Sequence, residues 1–271
     1  MFIKNLCSRK TVLITGASSG LGKNLAFNYA KLGARIINIS RDKNKMKNIN
    51  DELNKINNLN NLYYSSDVSK FNEINNIRNI LLKQNIIPDI IINNAAGNFL
   101  SEFKNLSPGG WNRIHEIVLN GAFNITNVFG NNLIQNRKKG VFLNISTTYA
   151  TSGSAYVIPS ASAKSGVDKM MKGLTVEWSK YNIRFVGIAP GPIDESGGAK
   201  KLDKFGLFKL YNIFNNPTKR MCKPDEISNL AIFLTSDYAE YINGEIVTID
   251  GGEIIQNSGE FNFLKNLPIK F

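Results

Sequence analysis

The stretch Asn144 to Gly166, NISTTYATSGSAYVIPSASAKSG, gathers phenols at Tyr149 and Tyr156, an ammonium group at Lys164 and several hydroxyls, Ser160 among them. It ends a strand-like run and opens a helical one, so these groups collect at the end of a strand, where α/β sheets place their sites. Phenol, amine and hydroxyl in one cleft suit reduction chemistry. Spacing leaves the acting phenol open: a serine, Ser160, stands four residues before Lys164, and Tyr149 and Tyr156 are both near enough to serve.

The elements that must position these groups begin at Thr11–Thr15 (TVLIT), a β-branched run that stops at Gly16, followed by a helical pattern from about Gly20 to Leu32. The turn between them, TGASSGLG, contains Gly16, Ala17, Ser18, Ser19, Gly20 and Leu21 and closes on Gly22. Glycines so spaced let the backbone turn tightly, approach a pyrophosphate and pack helix on strand, with the helix N-terminus facing the phosphates. A dinucleotide is the expected occupant. The next strand, Arg35 to Ser40, should end beside the adenosine ribose and offers Ser40 and Arg41 there. A guanidinium at that point pairs with a 2′-phosphate, which favours NADPH over NADH, although Asp42 one residue on is discordant.

A surface helix is expected across the asparagine- and lysine-rich segment 43–61, with Met46, Ile49, Leu53 and Ile56 at helical spacing and the asparagines read as compositional drift. A third strand, Leu62 to Ser66, leads to Asp67, whose carboxylate could accept the adenine amino group or cap the following helix. Asp89 to Asn93 reads as a buried strand entering the polar turn NNAAGNF, which holds Asn93, Asn94, Gly97 and Asn98. Trp111 to Leu133 is expected as one long helix containing Asn120, Phe142 to Ser146 as the fifth strand, and Ser162 to Trp178 as the helix carrying Lys164. Ile183 to Ala189 is the sixth strand, ending in PGPI at Pro190, Gly191, Pro192 and Ile193. Residues 194–223 read as a flap, Asp225 to Leu234 as a helix and Glu245 to Ile249 as a last strand. Strand and helix alternate throughout, so the expected fold is a single α/β domain over residues 1–271: a Rossmann-type, doubly wound parallel sheet of about seven strands with helices on both faces.

Composition narrows the alternatives. The chain has 271 residues, 42% of them hydrophobic, enough to bury one large core. No apolar run reaches the roughly 20 residues of a membrane span. Its two cysteines, Cys7 and Cys222, make no disulfide framework, and its one histidine, His115, reads as a partly exposed helix residue. The formal charge of +12 fits nucleic acid, an anionic membrane surface or a polyanionic small molecule, and the lysines of 43–55 and 200–223, not interleaved with aromatics, weigh against nucleic acid. The basic N-terminal residues MFIKNLCSRK are expected to be a trimmed targeting sequence or a plain basic terminus.

TGASSGLG, NNAAG, Asn120, the Lys164 helix and PGPI together resemble the short-chain dehydrogenase/reductase family over essentially the whole chain. Within it, TTYATSGSAYVIPSASAKSGVDKM, EWSKYNIRF, PGPI and SGEFN resemble the NADPH-dependent 2,4-dienoyl-CoA reductases, most closely the mitochondrial type. Ordinary members carry tyrosine four residues before the lysine, whereas this branch carries serine there. The resemblance implies Tyr149 and Asn98 as donors to the oxyanion, Lys164 on the nicotinamide ribose, Ser160 near cofactor or substrate, Arg41 and Asp67 at the adenosine end and Gly191 to Ile193 at the nicotinamide end. It further implies Asn98, Phe99, Ser107 and Tyr149 as substrate contacts; Lys201, a flap ammonium group, is expected to meet the phosphates of coenzyme A by charge, and Ser69 departs from the basic residue that similar enzymes tend to have. Reduction of 2,4-dienoyl-CoA to 3-enoyl-CoA in unsaturated fatty acid oxidation, a homotetramer, and a mitochondrial rather than cytoplasmic or peroxisomal location follow as expectations. The alternatives are a carbonyl reductase for 3-oxoacyl thioesters, with Tyr156 as acid, and a non-catalytic nucleotide-binding protein.

Overall fold

The computed structural model describes residues 6–194, 207–259 and 262. Its centre is a sheet of seven strands, all parallel, in the order β3-β2-β1-β4-β5-β6-β7. The strands are β1 Thr11–Thr15, β2 Arg35–Ser40, β3 Leu62–Ser65, β4 Ile90–Asn93, β5 Gly140–Ile145, β6 Ile183–Pro190 and β7 Ile246–Ile249. Chain direction across the sheet reverses between β1 and β4, which opens a crevice at their carboxyl ends.

Alternation along each strand sends side chains to two separate cores. Val12, Ile14 and Ile36 pack with α1 (Gly20–Lys31), α2 (Lys43–Asn57) and α9 (Pro224–Thr235). Leu13, Ile37 and Ile39 pack on the other face with α3 (Phe71–Lys83), α5 (Gly121–Gln135) and α7 (Ile158–Trp178). Strands buried on both faces need such continuous apolar runs. No helix among the described residues is long and apolar enough to cross a membrane.

Three expectations change. The helix expected from Trp111 starts at Pro108, as α4 (Pro108–His115), passes through a π-helical turn at Glu116–Asn120 and continues as α5 to Gln135. Ser107 caps it by accepting from the Gly110 amide at 3.1 Å. The helix carrying Lys164 starts at Ile158 rather than Ser162, because Pro159 suits a first helical turn, and this brings Ser160 into the helix. The asparagines of 43–61 are not idle: Asn61 Oδ1 accepts from the Ile36 amide at 2.7 Å, Asn54 Oδ1 accepts from Asn61 N, and Asn57 donates to Ala34 O. They satisfy the backbone at the start of β2 on the side where β3, which pairs only from Ile37 onward, does not reach.

The flap region holds α8 (Leu207–Asn215), whose Leu207, Leu210, Tyr211 and Phe214 are exposed, and Ile193 bridges to Cys222. Lys201 lies outside the described residues.

Candidate active site

The end of β1 is fastened before any ligand arrives. Thr15 Oγ1 accepts from the amides of Asn94 and Ala95, both at 3.0 Å, and Asn94 Nδ2 donates to Thr15 O at 2.8 Å. Gly16 turns with φ +71°, and a Cβ there would stand 3.0 Å from Ala95 Cα. Gly22 is tighter still: a Cβ would meet Gly16 O and Asn94 Nδ2 at 2.5 Å. These two glycines let α1 begin directly against the strand end. The first turn of α1 has no acidic residue and Ser19 makes no side-chain cap, so its amides face the crevice without a side-chain acceptor.

The discordant Asp42 is explained by local structure. It is the N-cap of α2, accepting from the Lys45 amide at 3.0 Å, and that bond leads the lowering of its pKa. Arg41 is exposed beside it, and Ser40 Oγ donates to Ser18 Oγ at 2.8 Å. Asp67 caps nothing in α3. Its Oδ1 accepts from Ser69 N and Oγ, and its Oδ2 accepts from Arg113 at 2.9 Å. Burial alone would raise this carboxyl, but the Arg113 and Ser69 hydrogen bonds outweigh it and hold the pKa at about 2. Glu73 serves the α3 entry instead, accepting from Ser66 Oγ and Asp67 N.

Tyr149 opens a short helix, α6 (Tyr149–Ser152), at the carboxyl end of β5. Its hydroxyl accepts from Asn98 Nδ2 at 3.4 Å and lies 3.3 Å from Ser160 Oγ. Three segments distant in the chain therefore converge on one phenol oxygen. Asn98 is held in turn by its Oδ1, which accepts from the Phe99 amide at 2.9 Å. Tyr156 is not part of this set: it is exposed, with φ +65°, and its carbonyl accepts from Ser101 N.

Lys164 follows Ser160 by one helical turn and lies on the same side of α7. It is 7% exposed, and its ammonium donates to Ile145 O at the end of β5. Burial disfavours its charge and pulls the pKa down to about 8, with Asp168 acting in the opposite sense. Asp168, a further turn along α7, accepts from Ser146 Oγ at 2.7 Å, and burial pushes its carboxyl up. Its other oxygen is buried and has no partner among the described residues. Sequence reasoning did not single out Asp168; its place four residues after Lys164, with Ser146 at a strand end, was the available signal. Arg113 was missed as well, because nothing in the sequence links it to Asp67. His115 is the structural residue expected, stacked on Trp111 at 4.2 Å and hydrogen-bonded to Trp111 O.

Beyond β6, the Gly191 amide donates to Ile249 O at 3.0 Å, which fixes the Pro190 to Ile193 segment at the same end of the sheet. A glycine turn opening α1 without a side-chain cap, a phenol–amide pair and a buried lysine are thus brought to the carboxyl ends of one parallel sheet. Comparison with known proteins agrees. The family model described as enoyl-(acyl carrier protein) reductase matches residues 16–253. The chain belongs to the short-chain dehydrogenase/reductase family. It is 39% identical over 246 residues to a Bacillus subtilis protein named probable 2,4-dienoyl-CoA reductase, (2E)-enoyl-CoA-producing, covering 90% of this chain and 96% of that one. A Caenorhabditis elegans protein named probable 2,4-dienoyl-CoA reductase, (3E)-enoyl-CoA-producing, is 35% identical, with 92% and 82% covered. The crystal structure of a short chain dehydrogenase from Bacillus anthracis superposes with a TM-score of 0.81 at 40% identity, covering 90% and 96%. As a member of this family the protein is an oxidoreductase, and its fold is the doubly wound parallel sheet expected from the alternating pattern.

Proposed function

We propose that the protein reduces 2,4-dienoyl-CoA to 3-enoyl-CoA with NADPH, and that Tyr149 and Asn98 hold the thioester oxygen while it carries charge. The observation that carries this is the Tyr149 hydroxyl, met by Asn98 and Ser160 in a cleft whose lysine has a serine, rather than a phenol, one turn before it. The glycine turn and the α1 opening without a side-chain cap fit a pyrophosphate, and exposed Arg41 fits a 2′-phosphate. In this reading Gly16 to Leu21 hold the phosphates, Asp67 the adenine, Lys164 the ribose hydroxyls and Pro190 to Ile193 the nicotinamide, with Phe99, Ser107 and Lys201 toward the acyl-CoA. The cofactor supplies a hydride.

Hydride arriving at the far carbon of a conjugated dienoyl thioester sends charge along the chain to the thioester oxygen, several ångströms away. A phenol adjacent to the cofactor would suit a carbonyl; donors set further along suit this delocalised anion. The Tyr149 O–H turns from Ser160 to that oxygen, the Asn98 amide donates beside it, and a proton taken from water at carbon 2, next to the thioester carbonyl, completes the 3-enoyl product. Lys164 keeps the cleft positive. The resemblance and the relatives' names support the substrate; the resemblance alone supports a homotetramer, a mitochondrial compartment and a role in unsaturated fatty acid oxidation.

The test is turnover of purified protein with NADPH and either 2,4-dienoyl-CoA or 3-oxoacyl-CoA. Turnover of the dienoyl substrate is expected, with the product double bond at carbon 3 by NMR; a bond at carbon 2 would instead match the name of the Bacillus subtilis relative. Tyr149→Phe should lower kcat by about 10²–10³, the scale of one oxyanion donor, with NADPH affinity unchanged. Activity confined to 3-oxoacyl-CoA, or an unaltered Tyr149→Phe enzyme, would overturn the assignment.

A further inference from the structure

The segment after β7 places two carboxyl groups behind Gly191, and only one of them is satisfied. Asp250 accepts from the Gly252 amide at 2.8 Å and the Ile254 amide at 2.9 Å, so it shapes the turn into α10 (Glu253–Ser258). Glu253 is different. Its Oε2 is buried, has no hydrogen-bond partner among the described residues, and lies 3.1 Å from where a Cβ on Gly191 would be. A Cβ at Gly191 would also stand 2.9 Å from Asp250 Cα and Cβ, so the glycine is what allows Pro190–Ile193 to rest on this pair. Burial first, and Asp250 second, push the Glu253 carboxyl up, which means that the charged form lacks a counter-charge. An unpaired buried carboxylate oxygen is costly and calls for a role or a partner.

Chemistry at this end of the sheet supplies such a partner. Loss of a hydride leaves a positive charge on the nicotinamide ring of an oxidised dinucleotide. Of the other charged groups described at this end of the sheet, Lys164, on the β5 side, has the wrong sign to stabilise that ring, while Asp168 is bonded to Ser146 and Asp250 to the amides of its own turn. We propose that the Glu253 carboxylate, lying under Gly191 on the β6–β7 side, is the counter-charge for the oxidised nicotinamide ring, so that it favours oxidised over reduced cofactor and eases hydride donation. The inference rests on the cofactor reading above, in which Pro190 to Ile193 border the nicotinamide.

Binding separates the two. Dissociation constants of NADP⁺ and NADPH are measured by calorimetry on the wild type, Glu253→Gln and Glu253→Asp, with thermal melting as a check on folding. Glu253→Gln keeps the shape and removes the charge; it should weaken NADP⁺ about three- to tenfold and leave NADPH within about twofold, the scale of one partly screened charge pair. Glu253→Asp, which keeps the charge, should retain part of the preference. Equal weakening of both forms, or no change in either, would show that the carboxyl only supports the turn and would overturn the proposal while leaving the cofactor reading intact. Failure of the wild type to bind either form would remove the cofactor reading, and the proposal with it.

Discussion

A lysine and an aspartate stand at each end of β4 and β5, one pair just before the strands and the other on α7 against the end of β5, and the two pairs behave in opposite ways. At the amino end, Lys138 meets Asp89 directly at 3.0 Å and also donates to Ile87 O at 2.6 Å, while Asp89 accepts from the Thr11 amide at 2.7 Å. Each charge answers the other, and the set ties β1, β4 and the start of β5 together. At the carboxyl end, Lys164 and Asp168 are separated by a turn of helix and each is bonded to a neutral group, Ile145 O and Ser146 Oγ. Burial then acts on charges that are not cancelled, and it moves the lysine down and the acid up. The same residue types make a fastener where they touch and a reactive cleft where the fold holds them apart.

Breaking the cleft pair should have the largest effect. Lys164→Met is expected to lower kcat/KM by about three powers of ten in steady-state assays, as loss of a preorganised charge does. The same substitution should stabilise the fold. The lysine pKa is about 8 folded against 10.5 as a free side chain, so between these values the unfolded chain binds more protons and stability rises with pH. Below pH 8 the buried charge costs about 3 kcal/mol, on the scale of 1.4 kcal/mol per pH unit, and urea unfolding of Lys164→Met at pH 7 should recover much of it. In the wild type, kcat/KM should fall as pH rises through about 8, where the ammonium is lost.

Asp168→Asn sharpens the contrast at intermediate size. Its carboxylate holds the Lys164 pKa up, so removing the charge should move the alkaline limb of the pH profile to lower pH and reduce kcat/KM at pH 8 about tenfold. An unmoved limb would show that the two groups do not communicate. At the other end, Asp89→Asn should leave kcat unchanged and destabilise by about 2 kcal/mol in urea titrations, since a hydrogen bond to a partly buried carboxylate is weakened and Lys138 loses its counter-charge. The smallest effect is expected for Lys138→Met: Lys138 is 35% exposed, and its loss should cost no more than about 1 kcal/mol with catalysis intact.

Much of this architecture was legible from local pattern. The β-branched run Thr11–Thr15, its glycine turn and the following helix are decided within about twenty residues, and the sheet follows from strand and helix alternating at short spacing. Boundaries were less legible where side chains or packing set them. Ser107 as a cap and Pro159 in a first turn lengthened two helices beyond their apolar periodicity, and the π-helical turn at Glu116–Asn120 has no periodic signature. In the cleft, Tyr149, Asn98, Ser160 and Lys164 could be singled out by type and position, but the preference for Tyr149 over Tyr156 came from resemblance. Asp42 looked like evidence against a 2′-phosphate until its capping bond accounted for it.

By itself the sequence determined which groups exist and the order in which strand ends deliver them, because hydrophobic period and glycine conformational freedom act over short distances. Only the tertiary structure decided which groups meet. Asn98 and Tyr149 are 51 residues apart, Arg113 and Asp67 are 46 apart, and Glu253 reaches Gly191 through the pairing of β7 with β6. Depth is the second thing the fold alone sets. Burial, not residue type, lowers Lys164 while Lys138 remains a half-exposed strand clamp, since the cost of a charge depends on the water left around it.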